Sequence, residues 1–164
     1  MQDIGSQTRA ALTTLWRELV EGAANATFVL NPSDPGLLAS LDRLSADEAS
    51  HVPPGHRASV AAHTDHLRYG LGPMNRWAQG EENPFATAAY SASWTRVIVT
   101  EDQWLALRQA LSAEAGNWSQ VLSTARAMND VECAGVLGSV VHLAYHLGAM
   151  RQIVPALAGP RATD

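Results

Sequence analysis

The chain has a single cysteine, no lysine and no run of about twenty uninterrupted apolar residues of the kind that crosses a bilayer. With only Cys133 available, an intrachain disulfide is excluded, and the fold must rest on its own core. All eleven basic residues are arginines, and they are scattered along a chain of formal net charge −5. No basic cluster can track a phosphate backbone, so nucleic acid is not an expected partner. A membrane is not expected as a partner either. The first ten residues lack the basic start and apolar run of a secretory signal, and the expected location is cytoplasmic. Strand signals are scarce too: Arg96 to Thr100, with Val97, Ile98 and Val99, is β-prone but only a few residues long.

What is present is material for a core. The 164 residues are 46% apolar and 16% charged, the balance of a globular protein. That length suits one domain spanning 1–164 and buries enough surface to fold without metal, so a bound metal would serve function more than folding. No internal repeat or low-complexity tract divides the chain, and the tail 158–164 is expected to be mobile.

Four long helices are expected. From Ser6 to about Ala24, Leu12, Leu15, Trp16, Leu19 and Val20 recur at helical spacing, with Arg9, Arg17, Glu18 and Glu21 on the other face. Asn31 to Pro54 is broken by prolines but holds Leu37, Leu38, Leu41 and Leu44, a short helix within a crossover. A second long helix runs from Ser59 to about Gly80 and should kink at Pro73. Glu82 to Val99, with Phe85, Tyr90 and Trp94, reads as an ordered loop. Thr100 followed by Glu101, Asp102 and Gln103 is a capping box opening the third helix, whose apolar face carries Trp104, Leu107, Leu111 and Trp118. After a brief interruption at Met128 to Asp130, a fourth helix from Val131 to Leu157 is apolar nearly all round. It is therefore expected in the middle of the fold, antiparallel to the third and beside it.

That apolar helix carries His142 and His146. Residues four apart are separated by about 40° around the axis and roughly 6 Å along it, so both imidazoles leave one face and can chelate one ion. A buried imidazole is costly unless its polar atoms are paired, which makes two of them hard to explain by packing alone. Candidates for a third ligand are His63, His66, His51 and His56. The last two lie in the proline-broken crossover and are read as solvated. His66 lies deeper in its helix than His63, level with the middle of a packed neighbour. Three imidazoles leave a coordination position open, the pattern of a catalytic site. Leu143 stands where the glutamate of H-E-x-x-H would be, so this is not a zincin site. A ferritin-like di-iron site needs two Glu-x-x-His pairs, and only Glu48 to His51 has that spacing. C-x-x-C-H haem attachment is absent.

The segments Ser59 to Leu71, S-V-A-A-H-T-D-H-L-R-Y-G-L, and His142 to Ile153, H-L-A-Y-H-L-G-A-M-R-Q-I, resemble those of the DinB/YfiT-like superfamily of metalloenzymes. Family members carry one ligand histidine about eight residues into the second helix and an H-x-x-x-H pair followed by x-G on the fourth. The matching positions are His66, then His142 and His146 with Gly148. The resemblance implies an all-α four-helix bundle in up, down, down, up order with long crossovers, often a homodimer. It implies one divalent ion at the three histidines, zinc or nickel first, with iron or manganese as alternatives. Characterised relatives include S-transferases using bacillithiol or mycothiol, a maleylpyruvate isomerase and metal-dependent hydrolases. The glutamine that often follows H-x-G is Ala149 here, with Gln152 three residues on, so no role is carried over for it.

The expected function is thus a divalent-metal-dependent enzyme acting on a small molecule, with a low-molecular-weight thiol as one candidate. The ion would lower the pKa of a water or thiol and so make a nucleophile without a dedicated general base. Asp65, Tyr69, Tyr145 and Arg151 are near enough in sequence to approach the site, and Asp65 and Arg151 are equally well read as solvated. His63 is read as an outer partner of the ligands, an alternate ligand or an ordinary helix residue. Trp94 and Arg96 would form a lid, or simply pack within their loop, which is the favoured reading. Cys133 is a small half-buried residue and no nucleophile. The competing functional class is a metal- or ligand-binding stress or regulatory bundle without turnover, and a third reading leaves the histidines merely structural.

Overall fold

The computed structural model describes residues 4–24 and 27–157; the tail expected to be mobile lies outside the described residues. The regular structure of those residues is helical, with no strand among them and one isolated bridge between Gly22 and Pro35. Four long helices, α1 (Ile4–Glu21), α4 (Val60–Ala78), α5 (Glu101–Ser123) and α6 (Asp130–Ile153), are joined by two short ones, α2 (Leu37–Leu41) and α3 (Ala46–Ser50). Two 3₁₀ turns, Tyr90–Trp94 and Pro155–Leu157, complete the list of elements.

Side chains placed at helix ends explain most of these boundaries. The Ser59 hydroxyl accepts from the Ala62 amide and starts α4, which then continues through Pro73. Reciprocal capping boxes open α5 at Thr100 and Gln103, α3 at Ser45 and Glu48, and α6 at Asn129 and Glu132. Glu48 is therefore a cap, and His51, which it precedes at metal-ligand spacing, is exposed. Helix α1 stops short of the expected Ala24 because Gly22, at φ +99°, turns the chain. Here the backbone of Gly36 passes so close that a Cβ on it would lie 2.3 Å from the Gly22 nitrogen, so the crossover needs glycine at that point.

The core is built on Trp16, Trp104 and Trp118, all fully buried, with leucines from every long helix around them. Helices α1 and α4 each pack against both α5 and α6. The expectation that α5 and α6 are neighbours is not met: they are not a principal packing pair, and Trp118 reaches across the core to donate to Ser139 Oγ at 2.9 Å. The reason lies in the connection, which runs from Thr124 to Asn129 and is longer than the interruption read from the sequence. Six residues span about 20 Å when extended, enough to cross a corner of the fold. Arg126 anchors that crossing by lying 4.2 Å from the centre of the Trp77 ring at the end of α4.

Two further expectations are corrected. Glu18, assigned to the polar face of α1, is buried and accepts from the amides of Phe28, Val29 and Leu30 at 2.7–3.1 Å. Burial would raise its pKa, but those three amides outweigh it and hold the carboxyl below its ordinary value. Helix α6 is not enclosed on all sides. Val131, Val141 and Tyr145 are 81, 68 and 70% exposed, and Leu137 is exposed on the same helix. By length and composition alone α6 reaches the level of a membrane-crossing helix, and a third of its most apolar window is buried inside the fold.

Candidate metal centre

Helix α4 brings His63 and His66 to face His142 and His146 of α6, each pair spaced by about one helical turn. The rings meet edge-on or tilted, with centroids 4.3 Å apart for His142 and His146, 4.9 Å for His66 and His146, and 5.3 Å for His66 and His142. One nitrogen from each of His66, His142 and His146 lies within 4.8 Å of the others, and this triad can hold a metal ion. His66 and His146 are buried, and His142 stands exposed at the rim.

The surrounding hydrogen bonds decide which nitrogens are free. Ser93 donates its hydroxyl proton to the Tyr90 carbonyl at 2.6 Å. Toward His66 Nδ1, 2.9 Å away, it must then accept, which places the imidazole proton on Nδ1 and the lone pair on Nε2. His63 and His146 share one proton between Nδ1 atoms 2.8 Å apart. For His146 to serve as a ligand that proton sits on its own Nδ1, and His63 carries its proton on Nε2. His63 is thus bonded to a member of the triad and is not one of its three residues.

All four imidazoles are held neutral. Burial pushes His146 down to about 3 and His63 down to about 4, with the neighbouring imidazoles adding to both shifts. Burial lowers His66 as well, helped by His142 and opposed by Asp65. His142 is exposed at its rim, yet enough of its packed ring is desolvated to lower its pKa too. At neutral pH the lone pairs that a metal requires are therefore available.

Comparison with known protein families, with curated proteins and with solved structures found no match.

Trp94, for which packing within its own loop was the favoured reading, instead covers the triad. Its ring stacks on His66 at 4.2 Å and meets His63 edge-on at 5.1 Å. The 3₁₀ turn that carries it is held down by Tyr69, whose hydroxyl accepts from the Ala89 amide at 2.7 Å. Arg96 takes no part in the lid and pairs with Asp65 at 3.2 Å. Asp65 is buried and also bound by Arg68 at 2.8 Å, so it is not solvated and not free to act as a base. Tyr145 is exposed, with its ring edge against His146 at 5.1 Å. Arg151 neither approaches the site nor meets solvent: it is buried, with Asp34 at 3.2 Å and the Pro35 carbonyl at 2.8 Å. Cys133 is half-buried, lining a separate cleft between α1 and the start of α6.

Ser93 was absent from the sequence reading. A serine in a loop gives no local sign of a partner on another element, and only the docking of the 3₁₀ turn against α4 brings it to His66.

Proposed function

We propose that this chain is a divalent-metal-dependent enzyme, a transferase or hydrolase of the DinB/YfiT-like kind, with His66, His142 and His146 as its metal ligands. The observation that carries this reading is the convergence of three neutral imidazoles on one point while Ser93 occupies the far nitrogen of His66. A ligating imidazole nearly always has its other nitrogen bonded to a partner, and three imidazoles turned toward one another, two of them buried, are more than the pairing of a single packed histidine requires.

An up, down, down, up bundle is the arrangement most consistent with the contacts. The first half of α1, from Gly5 to Leu12, shares a cleft with Val121 and Leu122 at the end of α5, and Thr13 donates to the Leu122 carbonyl, so those two helices run oppositely. The start of α4 lies by Val97, just ahead of α5, and its end by Arg126, just after α5, so these two run together. His63 pairs with His146 and His66 faces His142, which sets α6 against α4.

Three imidazoles suit zinc or nickel, and such an ion supplies Lewis acidity that acidifies a water or thiol reaching its open side. The chain's own residues supply the rest. Trp94 keeps water from one face of the triad. His63 fixes the ring of His146, and Ser93 fixes that of His66. Asp65 is engaged by two arginines, which leaves the reaction without a general base from that carboxylate.

The test is turnover by zinc- or nickel-loaded protein on a panel of low-molecular-weight thiol transfers and of ester and amide hydrolyses. Turnover that His142→Ala abolishes supports the enzyme reading. One equivalent of bound metal with no turnover under either ion would reduce it to a metal-binding bundle.

A further inference from the structure

Beside the triad a cleft of about 300 Å³ opens between α4 and α6. His142 forms one wall of its mouth, so the cleft and the candidate metal centre share a residue. It extends from there past Leu143 and Ser139 to Gly135 on α6, and past Leu67 to Met74 on α4. Seven residues of helix rise about 10 Å, which gives its length.

Its chemistry is one-sided. Trp16, Leu67, Leu71, Met74 and Leu143 supply apolar surface, and no charged side chain lines it. Two hydroxyls line it: that of Ser139 accepts from Trp118 and donates to the Val136 carbonyl, so its proton is already committed, and that of Tyr90 belongs to a residue that is 41% exposed. An ionised group lodged there would lose its hydration and find no counter-charge, because the polar groups of the other lining residues, the Tyr90 hydroxyl and the buried, unpartnered indole N–H of Trp16, are neutral. The opposite opening, on the far side of His63 and Trp94, is lined by His56, Arg57 and Gln152 and is polar by comparison.

Three glycines, Gly70, Gly135 and Gly138, keep the cleft open. A Cβ at any of them would meet nothing within 4 Å, so neither close packing nor backbone approach explains them. All three lie inside long helices, where glycine is unfavourable relative to alanine. None has the positive φ that would excuse it.

Building on the metal-site reading above, we infer that the Trp16–Met74 cleft binds the uncharged apolar body, alkyl or aryl, of a small molecule whose donor group reaches the metal beside His142. The substrate class is then a hydrophobic compound with one metal-binding end.

A series of straight-chain hydroxamic acids, from acetyl to octanoyl, titrated into cobalt-loaded full-length protein and followed by its visible absorption, tests this. Affinity should rise about two- to fourfold per methylene until the chain outgrows the cleft. A hydroxamate of the same length ending in a carboxylate should lose that gain. Gly138→Leu and Gly135→Leu should keep their helical signal, because leucine is the better helix former, and should keep one equivalent of cobalt. In both variants the dependence on chain length should disappear. Bound cobalt with an affinity flat across the series overturns the inference and leaves the metal site standing, as does a length dependence that survives both glycine substitutions. Failure to bind cobalt at all overturns the metal-site reading, and the cleft's role falls with it.

Discussion

Ser93 Oγ lies 2.9 Å from His66 Nδ1 and 2.6 Å from the carbonyl oxygen of Tyr90. One hydroxyl in a 3₁₀ turn therefore determines which nitrogen of a helical histidine keeps its lone pair. Removing it should leave the fold intact and loosen the site. Ser93→Ala is expected to weaken zinc affinity by about 10–100-fold, the usual effect of losing the partner of a ligating imidazole. Competition against a chromophoric chelator measures this, with far-ultraviolet circular dichroism as the control for folding. An unchanged affinity would mean that His66 is held in place by packing alone.

The neutral imidazoles also make stability depend on pH. His63 and His146 titrate near 4 and 3 in the folded chain, while unfolded histidine titrates near 6.5. Above about 6.5 both states are neutral and full stability is present. Below it the unfolded chain takes up protons that the folded chain refuses, so stability falls as pH drops from 6.5 toward about 4 for His63 and about 3 for His146. Urea melts of metal-free protein at pH 7.5 and 5 should show a clearly lower midpoint at pH 5. His63→Gln, which removes one of the buried imidazoles, should shrink that difference.

Much of the scaffold could be read locally. The caps at Ser59 and Thr100 act on amides three residues away, and the spacing of His142 and His146 is a property of one helix. The site's third member is one of four candidate histidines, and His66 is favoured because it lies deeper in its helix than His63 and matches the family resemblance. What escaped the reading depends on contacts between elements. Glu18 looks like a solvated residue until the chain at 28–30 folds back over it. Ser93 and Trp94 join the site because the Tyr69 hydroxyl holds the Ala89 amide. An apolar helix is ordinarily a central one, yet α6 leaves Val131, Val141 and Tyr145 exposed. The same helix lines a cleft at Gly135 and Gly138, and no periodicity rule reports an empty space.

Arg151 and Asp34 are both buried and lie 3.2 Å apart, tying α6 to the crossover. Asp34→Ala would strand the guanidinium without its counter-charge, and a loss of about 3–5 kcal/mol is expected. Thermal unfolding should register it as a large fall in Tm, with bound zinc still at one equivalent. A fall in zinc content while the protein remains folded would place Arg151 in the support of the metal site.

The most direct measurement is the metal content of untagged protein after supplementation with zinc or nickel, set beside the single variants His66→Ala, His142→Ala and His146→Ala. One equivalent in the native chain is expected, with a small fraction of that in each variant and an undiminished helical signal in all four. Absence of stoichiometric metal from the native chain under either ion, or its retention when any one of these histidines is removed, would contradict a centre built by the three together.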